Sequence, residues 1–507
     1  MQRLAVYIFV FLSAAAICIT ACVHKPQISV TPSNGNFPDS IASIILNKCT
    51  NSGCHNPASY QNAGDLLLDS WQHMLQGSSS GAVVVAYSAK YSTLLSYCNN
   101  GFDPGTVNAY DTNHFRPITP ITAKEYATLK NWVAGGAPDN SGNIPFATNA
   151  DTRQKIYLAM STACNQVAVI DAQSKLVMRY ITVGDNENPV PHDVEVSHDG
   201  NFAYVSLYSG SYVQKIDTRT DTVVSTANLN SAVPSGSVGF WSIINLSPSD
   251  TALMVTGWTS PGYVVTLNTA SMTINEKMSI DVNSGGTSSF LYPHGVASNA
   301  TFDTFFVALQ KGNVVNKFSF PSTGFYLKQV PIKGTQAIVT SNPTTPDPHQ
   351  LEMLPDHSRY FVTCQTSNEV RVMDAYSDVI LDSIPVGAYP QEMAISTSKG
   401  YLFVACMLDK SNPTPGSTGS VYVIDYTTHK VVTTLYGDFS QPHDIAVDEQ
   451  DGLVFICSTN QGGTSHHSPL CGGVNGWYTV YDLNTLKPDN KRYEVLAFPY
   501  TLSTRFK

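Results

Sequence analysis

"PHDVEVS" at Pro191–Ser197 returns as "PHGVASN" (Pro293–Asn299), "PHQLEML" (Pro348–Leu354), "PQEMAIS" (Pro390–Ser396) and "PHDIAVD" (Pro442–Asp448). Each leads into an aromatic-rich strand such as "NFAYVSLY" or "GYLFVAC". A second unit recurs between these openings, a strand closed by Asp: "VAVID" (167–171), "VQKID" (213–217), "VRVMD" (370–374), "VYVID" (421–425) and "TVYD" (479–482), with "VVTLN" (264–268) as an Asn variant. A Thr/Ser-rich turn and a further strand follow each, as in "YTTHKVVTTLYG".

Adding "GFWSIINLS" and "FPYTLS" places the openings at His192, Trp241, His294, His349, Gln391, His443 and Tyr500. The intervals are 49, 53, 55, 42, 52 and 57 residues, by subtraction. One interval holds one four-stranded blade, so the spacing predicts a seven-bladed β-propeller over 156–507. "YTLSTRFK" stops after a single strand, while Ile156–Val183 lacks an opening strand. The two ends are therefore expected to share a blade and close the ring. A β-sandwich pair would not produce this spaced repetition. The repeats resemble the YVTN-type seven-bladed propellers of bacterial extracytoplasmic proteins.

Upstream, the texture is helical and irregular. "SIASIILNK" carries Ile41, Ile44 and Ile45 at helical spacing behind Ser40, a candidate N-cap. "TAKEYATLKNWVAGGAPDN" offers a Thr122/Glu125 capping box, an apolar stripe of Tyr126, Leu129, Trp132 and Val133, and a Gly135-Gly136 stop. The chain thus reads as multidomain: a small all-α domain over 41–140, a linker over 141–155 and the all-β propeller. Residues 23–40 read as a polar tether.

The first 22 residues look like an export signal. Arg3 precedes an apolar run from Leu4 to Ile19 that is too short to be trusted as a spanning helix. "ITAC" resembles the lipobox of bacterial lipoproteins, which implies lipidation at Cys22. With Val23 rather than Asp next, that resemblance implies the outer membrane, so a lipid-anchored cell-envelope protein is expected. Charged residues make up 13% and Tyr numbers 26, a composition suited to a β-rich extracytoplasmic protein. A net charge of −10 with no basic cluster excludes nucleic acid as partner.

The small domain opens on "LNKCTNSGCHN" (Leu46–Asn56), with Cys49 and Cys54 five positions apart and His55 directly after. Haem attachment uses two thiols that add across the vinyl groups and an adjacent histidine that ligates iron. The usual spacing is two residues shorter, and Gly53 would let the longer loop bulge. A zinc site needs two further Cys or His, and the domain has His73, His114 and Cys98 without a second paired spacing. A plain disulfide leaves His55 without a role. The domain resembles the small cytochrome c modules of environmental bacteria, with "LKNWVAGGAPDN" matching their closing helix. In those modules a Met-Pro turn supplies the distal ligand; here "NHFRPITPIT" has no Met. The resemblance therefore implies bis-histidine ligation of haem c by His55 and His114, with Met74 as the rival. A bis-histidine iron sits at lower potential than one with a thioether ligand.

Four openings carry His after Pro: His192, His294, His349 and His443. Opening strands line a propeller's central channel, so these imidazoles are expected as a ring that can hold Cu, Zn or Fe, or simply cap the mouth by hydrogen bonding. In plan the chain is similar to the cytochrome cd1 nitrite reductases and nitrous oxide reductase, although Trp241, Gln391 and Tyr500 interrupt the ring. His466 and His467 can overhang a mouth. Cys364, Cys406 and Cys457 sit at matching strand positions and read as inert buried thiols, whereas Cys98, Cys164 and Cys471 are candidates for pairing. No hydrolase triad or phosphate loop stands out. The reading is a lipid-anchored c-type cytochrome passing electrons to a redox partner or small-molecule substrate. The alternatives are a non-catalytic propeller binding module with haem as relay or sensor, and a nitrogen-oxide-type reductase with metal in the channel.

Overall fold

The structure is a computed structural model that describes residues 34–115, 119–146, 152–184, 190–235, 237, 239–259, 261–279, 291–320, 322, 324, 326–340, 342–459 and 475–505. Cys22, the expected signal and most of the tether, His466, His467 and Cys471 lie outside the described residues.

Seven sheets of four antiparallel strands make the propeller. The innermost strands are Pro191–Val196, Trp241–Leu246, Pro293–Ser298, Pro348–Met353, Pro390–Ser396, Pro442–Asp448 and Pro499–Arg505. The last of these pairs with Lys155–Met160, so the C-terminal strand and three N-terminal strands form one blade. A ring closed this way cannot open unless a whole strand's hydrogen bonds break at once.

Each opening strand is set by the same backbone device. The residue just before it has a positive φ in all seven blades: Val190, Phe240, Tyr292, Asp347, Tyr389, Gln441 and Phe498. A β-bulge follows inside the strand, as between Pro191 and Val194 and between Trp241 and Ile244. This corrects the ring register in the second blade. Trp241 pairs with Gly257 as Pro191 pairs with Leu207, so Trp241 holds the proline place and Ser242 faces the channel beside the histidines.

The Asp-closed strands have a local cause. The terminal carboxylate accepts hydrogen bonds from backbone N–H groups two and three residues on: Asp425 Oδ1 from Thr427 and Thr428, at 2.9 and 2.8 Å, and Asp482 Oδ1 from Asn484 and Thr485, at 3.0 and 2.7 Å. The carboxamide oxygen of Asn268 does the same for Ala270 and Ser271, which explains the Asn variant. These turns fix the hairpin that ends each blade.

The N-terminal part is small and only partly helical. Its main helices are Asp39–Lys48 and Ala123–Ala134, with short turns of helix at Trp71–Met74 and Thr93–Cys98. The first helix begins two residues earlier than expected, with Pro38 at the cap position, so Ser40 lies inside its first turn. The second carries the full Thr122/Glu125 capping box. Ile41, Ile44, Ile45, Leu129 and Val133 bury their stripes against each other, and Lys48 ties the helices through Glu125 at 2.7 Å. This part docks on the propeller flank: Val85 enters a propeller core cluster, and Glu494 N–H donates to the Ser80 carbonyl at 2.9 Å. Among the described residues no helix is long and apolar enough to cross a membrane.

Candidate functional site

A cavity of about 500 Å³ opens in the N-terminal part, within the range of cofactor sites. Cys49, Cys54, His55, Tyr97, Cys98 and His114 are among its lining residues. Cys49 caps the end of the first helix, its N–H bonded to the Ile45 carbonyl at 2.8 Å. The loop then reverses through Gly53 at φ +80°, and the His55 N–H returns to the Cys49 carbonyl at 3.0 Å. The turn at Gly53 lets Cys49, Cys54 and His55 all line the cavity.

His55 Nδ1 lies 3.1 Å from the Leu66 carbonyl oxygen. A backbone acceptor there orients the ring and favours the tautomer with its proton on Nδ1, and the Ala63 backbone lies against the same ring. Burial lowers the His55 pKa, which favours the neutral ring that a metal requires. His114 arrives on a turn built by Asp111, whose carbonyl accepts its N–H at 3.0 Å. The two rings lie 5.9 Å apart, centre to centre. Two imidazoles in trans on one metal, each at a metal–nitrogen bond of about 2 Å, place their ring centres roughly 6 Å apart. Met74 is buried in the apolar core and is not among the lining residues.

Cys49 and Cys54 are free thiols, as is Cys98, so no disulfide occupies the motif. Burial, reinforced by Cys54, pushes the Cys49 thiol up to about 12. Among the described residues the compact ligand cluster lies elsewhere in the molecule, so these sulfurs and imidazoles are not drawn together as a zinc tetrad. Cys164 is disulfide-bonded, and Cys364, Cys406 and Cys457 are fully buried free thiols in their strands.

The four opening-strand histidines line the propeller channel, each at most 4% exposed. Their rings run as a circuit: His443–His349 at 6.3 Å, His349–His294 at 4.1 Å, His294–His192 at 5.7 Å, then His192–Tyr500 at 4.7 Å and Tyr500–His443 at 3.8 Å. The circuit is unequal. His443 Nδ1 is engaged at 3.1 Å by the Tyr500 carbonyl, and His192 stacks on Tyr208. Of the histidine pairs, His294 and His349 come closest, and Glu392 joins them with ligand atoms all within 4.8 Å.

Glu392 was not foreseen from the sequence, where Gln391 marks a gap in the ring. The signal was present: the third residue of three openings is acidic, at Asp193, Glu392 and Asp444. Two of these are structural ties between blades. Asp193 Oδ2 accepts from Ile244 N–H at 2.7 Å, and Asp444 Oδ2 from Leu502 N–H at 2.6 Å. Glu392 Oε1 is buried and accepts no hydrogen bond.

Fold and site together define a seven-bladed propeller that carries a small, cavity-bearing helical part. No protein-family model matches the chain, and no curated protein matches it. It is similar in structure to a chain of Kuenenia stuttgartiensis hydrazine synthase, with a TM-score of 0.46 and 16% identity over 63% of this chain and 91% of that one. It is also similar to a functionally unknown protein from Desulfotomaculum acetoxidans, with a TM-score of 0.47 and 11% identity over 68% of this chain and 99% of that one. Neither likeness bears on activity.

Proposed function

We propose that the protein is a lipid-anchored, extracytoplasmic c-type cytochrome that transfers single electrons and uses its propeller to dock a redox partner. The observation that carries this reading is that His55 and His114, with ring centres 5.9 Å apart, line one cavity together with Cys49 and Cys54. Two thiols, a backbone-oriented imidazole and an opposed second imidazole form the donor set that covalent haem uses, in a cavity large enough to need a planar group rather than an ion. Bound there, haem would supply a reversible one-electron couple.

The chain's own residues would set the conditions for that couple. Cys49 and Cys54 would anchor the group, and Leu66 would hold the His55 ring in its ligating tautomer. Phe115 and Leu68, both buried, would exclude water from one side, while the exposed His114 edge would leave a route for electrons. The Cys164 disulfide supports an oxidising compartment, in keeping with the export signal and lipobox read at the N-terminus. Spectroscopy of protein matured in an export-competent host tests the reading. Reversible low-spin haem bands on reduction and reoxidation are expected; protein without such bands contradicts it.

A further inference from the structure

The propeller channel holds a second donor set. His349 Nδ1 and Glu392 Oε1 stand 3.6 Å apart, too far for a hydrogen bond. Two donors on one tetrahedral ion, each bonded at about 2.1 Å, are separated by roughly 3.4 Å. His294 and His349 lie 4.1 Å centre to centre, much closer than His55 and His114 in the cavity. That closeness excludes opposed positions on one ion and leaves neighbouring ones, which the rings reach by parting by about half an ångström to one ångström. All three residues are at most 4% exposed. Three different blades supply or support them, so the closed ring itself holds the geometry.

Charge points the same way. Burial and the nearby Asp444, Asp193 and Glu352 all raise the Glu392 pKa. A divalent cation among such carboxyls relieves both the desolvation and their mutual repulsion.

We propose that His294, His349 and Glu392 bind one divalent first-row transition metal inside the channel, with a coordination position left open to a small ligand. Two imidazoles and one carboxylate suit Fe(II), Zn(II) or Mn(II) better than a soft ion such as Cu(I). His192 and His443 are engaged by Tyr208 and the Tyr500 carbonyl and flank the ion rather than ligate it. The site depends on the propeller alone, and its metal is counted separately from covalent haem, so the two proposals fail separately.

The test is metal analysis of the purified full chain, stripped with chelator and reloaded separately with Zn(II), Mn(II) or anaerobic Fe(II). Haem iron is measured independently and subtracted. About one equivalent of one of these metals is expected beyond haem iron. Glu392→Gln and His349→Gln should each lower retention about tenfold or more at unchanged haem content. Wild-type protein that retains none of the three metals overturns the proposal. Equal retention by wild type and both variants overturns it too. Where a variant does not fold, the wild-type stoichiometry and a metal-dependent rise in melting temperature decide.

Discussion

The imidazoles of His55 and His114, 59 positions apart in sequence, line one cavity with their ring centres 5.9 Å apart. His55 is fixed by its bond to Leu66, whereas His114 rides on the Asp111 turn and is exposed. His114→Ala should therefore keep the covalent haem but convert its spectrum from low-spin to high-spin. Met74→Leu should leave the spectrum unchanged, since Met74 is spent in the core. An unaltered spectrum in His114→Ala removes the ligand assignment.

Gly53 holds φ +80° with no atom within 4 Å of where a Cβ would stand. A side chain there meets no neighbour, so the cost of Gly53→Ala is backbone strain alone, about 1 kcal/mol. The expected result is a modest fall in melting temperature and a lower yield of covalent haem, with the propeller's far-ultraviolet signal intact.

Arg505 seals the shared blade. It is 1% exposed, and its Nε donates to the Gly200 carbonyl at 2.8 Å and to Thr218 Oγ1 at 3.0 Å. Thr218 Oγ1 itself donates to the Gly200 carbonyl, so Arg505→Met leaves that pair intact but removes the charged donor's bonds to it and to the Arg153 carbonyl, costing about 2–3 kcal/mol. Truncation before Pro499 removes the whole closing strand and should give aggregated protein. Chemical denaturation measures the first effect and gel filtration the second.

Glu352 provides a pH signature. Burial raises its pKa from 4.5 to about 8. The folded state then keeps a proton that the unfolded chain has already released, so stability falls as pH rises from about 4.5 to 8. Glu352 is only half-buried toward the channel, so screening leaves roughly 1–2 kcal/mol of this effect. Glu352→Gln should make that slope shallower in denaturation curves measured across the same window, with the other raised carboxyls, Asp193 and Glu392 among them, supplying what remains.

The propeller was legible because its signals are local and repeated. An Asp that caps its own turn, as Asp425 and Asp482 do, leaves a mark in five of the seven blades, with Asn268 in a sixth. Register was harder where a mark was missing. Trp241 took the proline place because the bulge and the positive φ at Phe240 set alignment, and neither shows in residue spacing. Glu392 was missed for a related reason: its role arises from blades that meet only in the closed ring. On the cavity side, Cys49, Cys54 and His55 announce themselves by adjacency. Only the fold brings Cys98 to the same wall and turns His114 toward His55.

Mass spectrometry of the proteolytic peptide containing Cys49 and Cys54, from protein matured in an export-competent host, tests the central claim most directly. A haem adduct carried by both cysteines is the predicted result. An unmodified peptide, or one carrying a Cys49–Cys54 disulfide, would contradict the account.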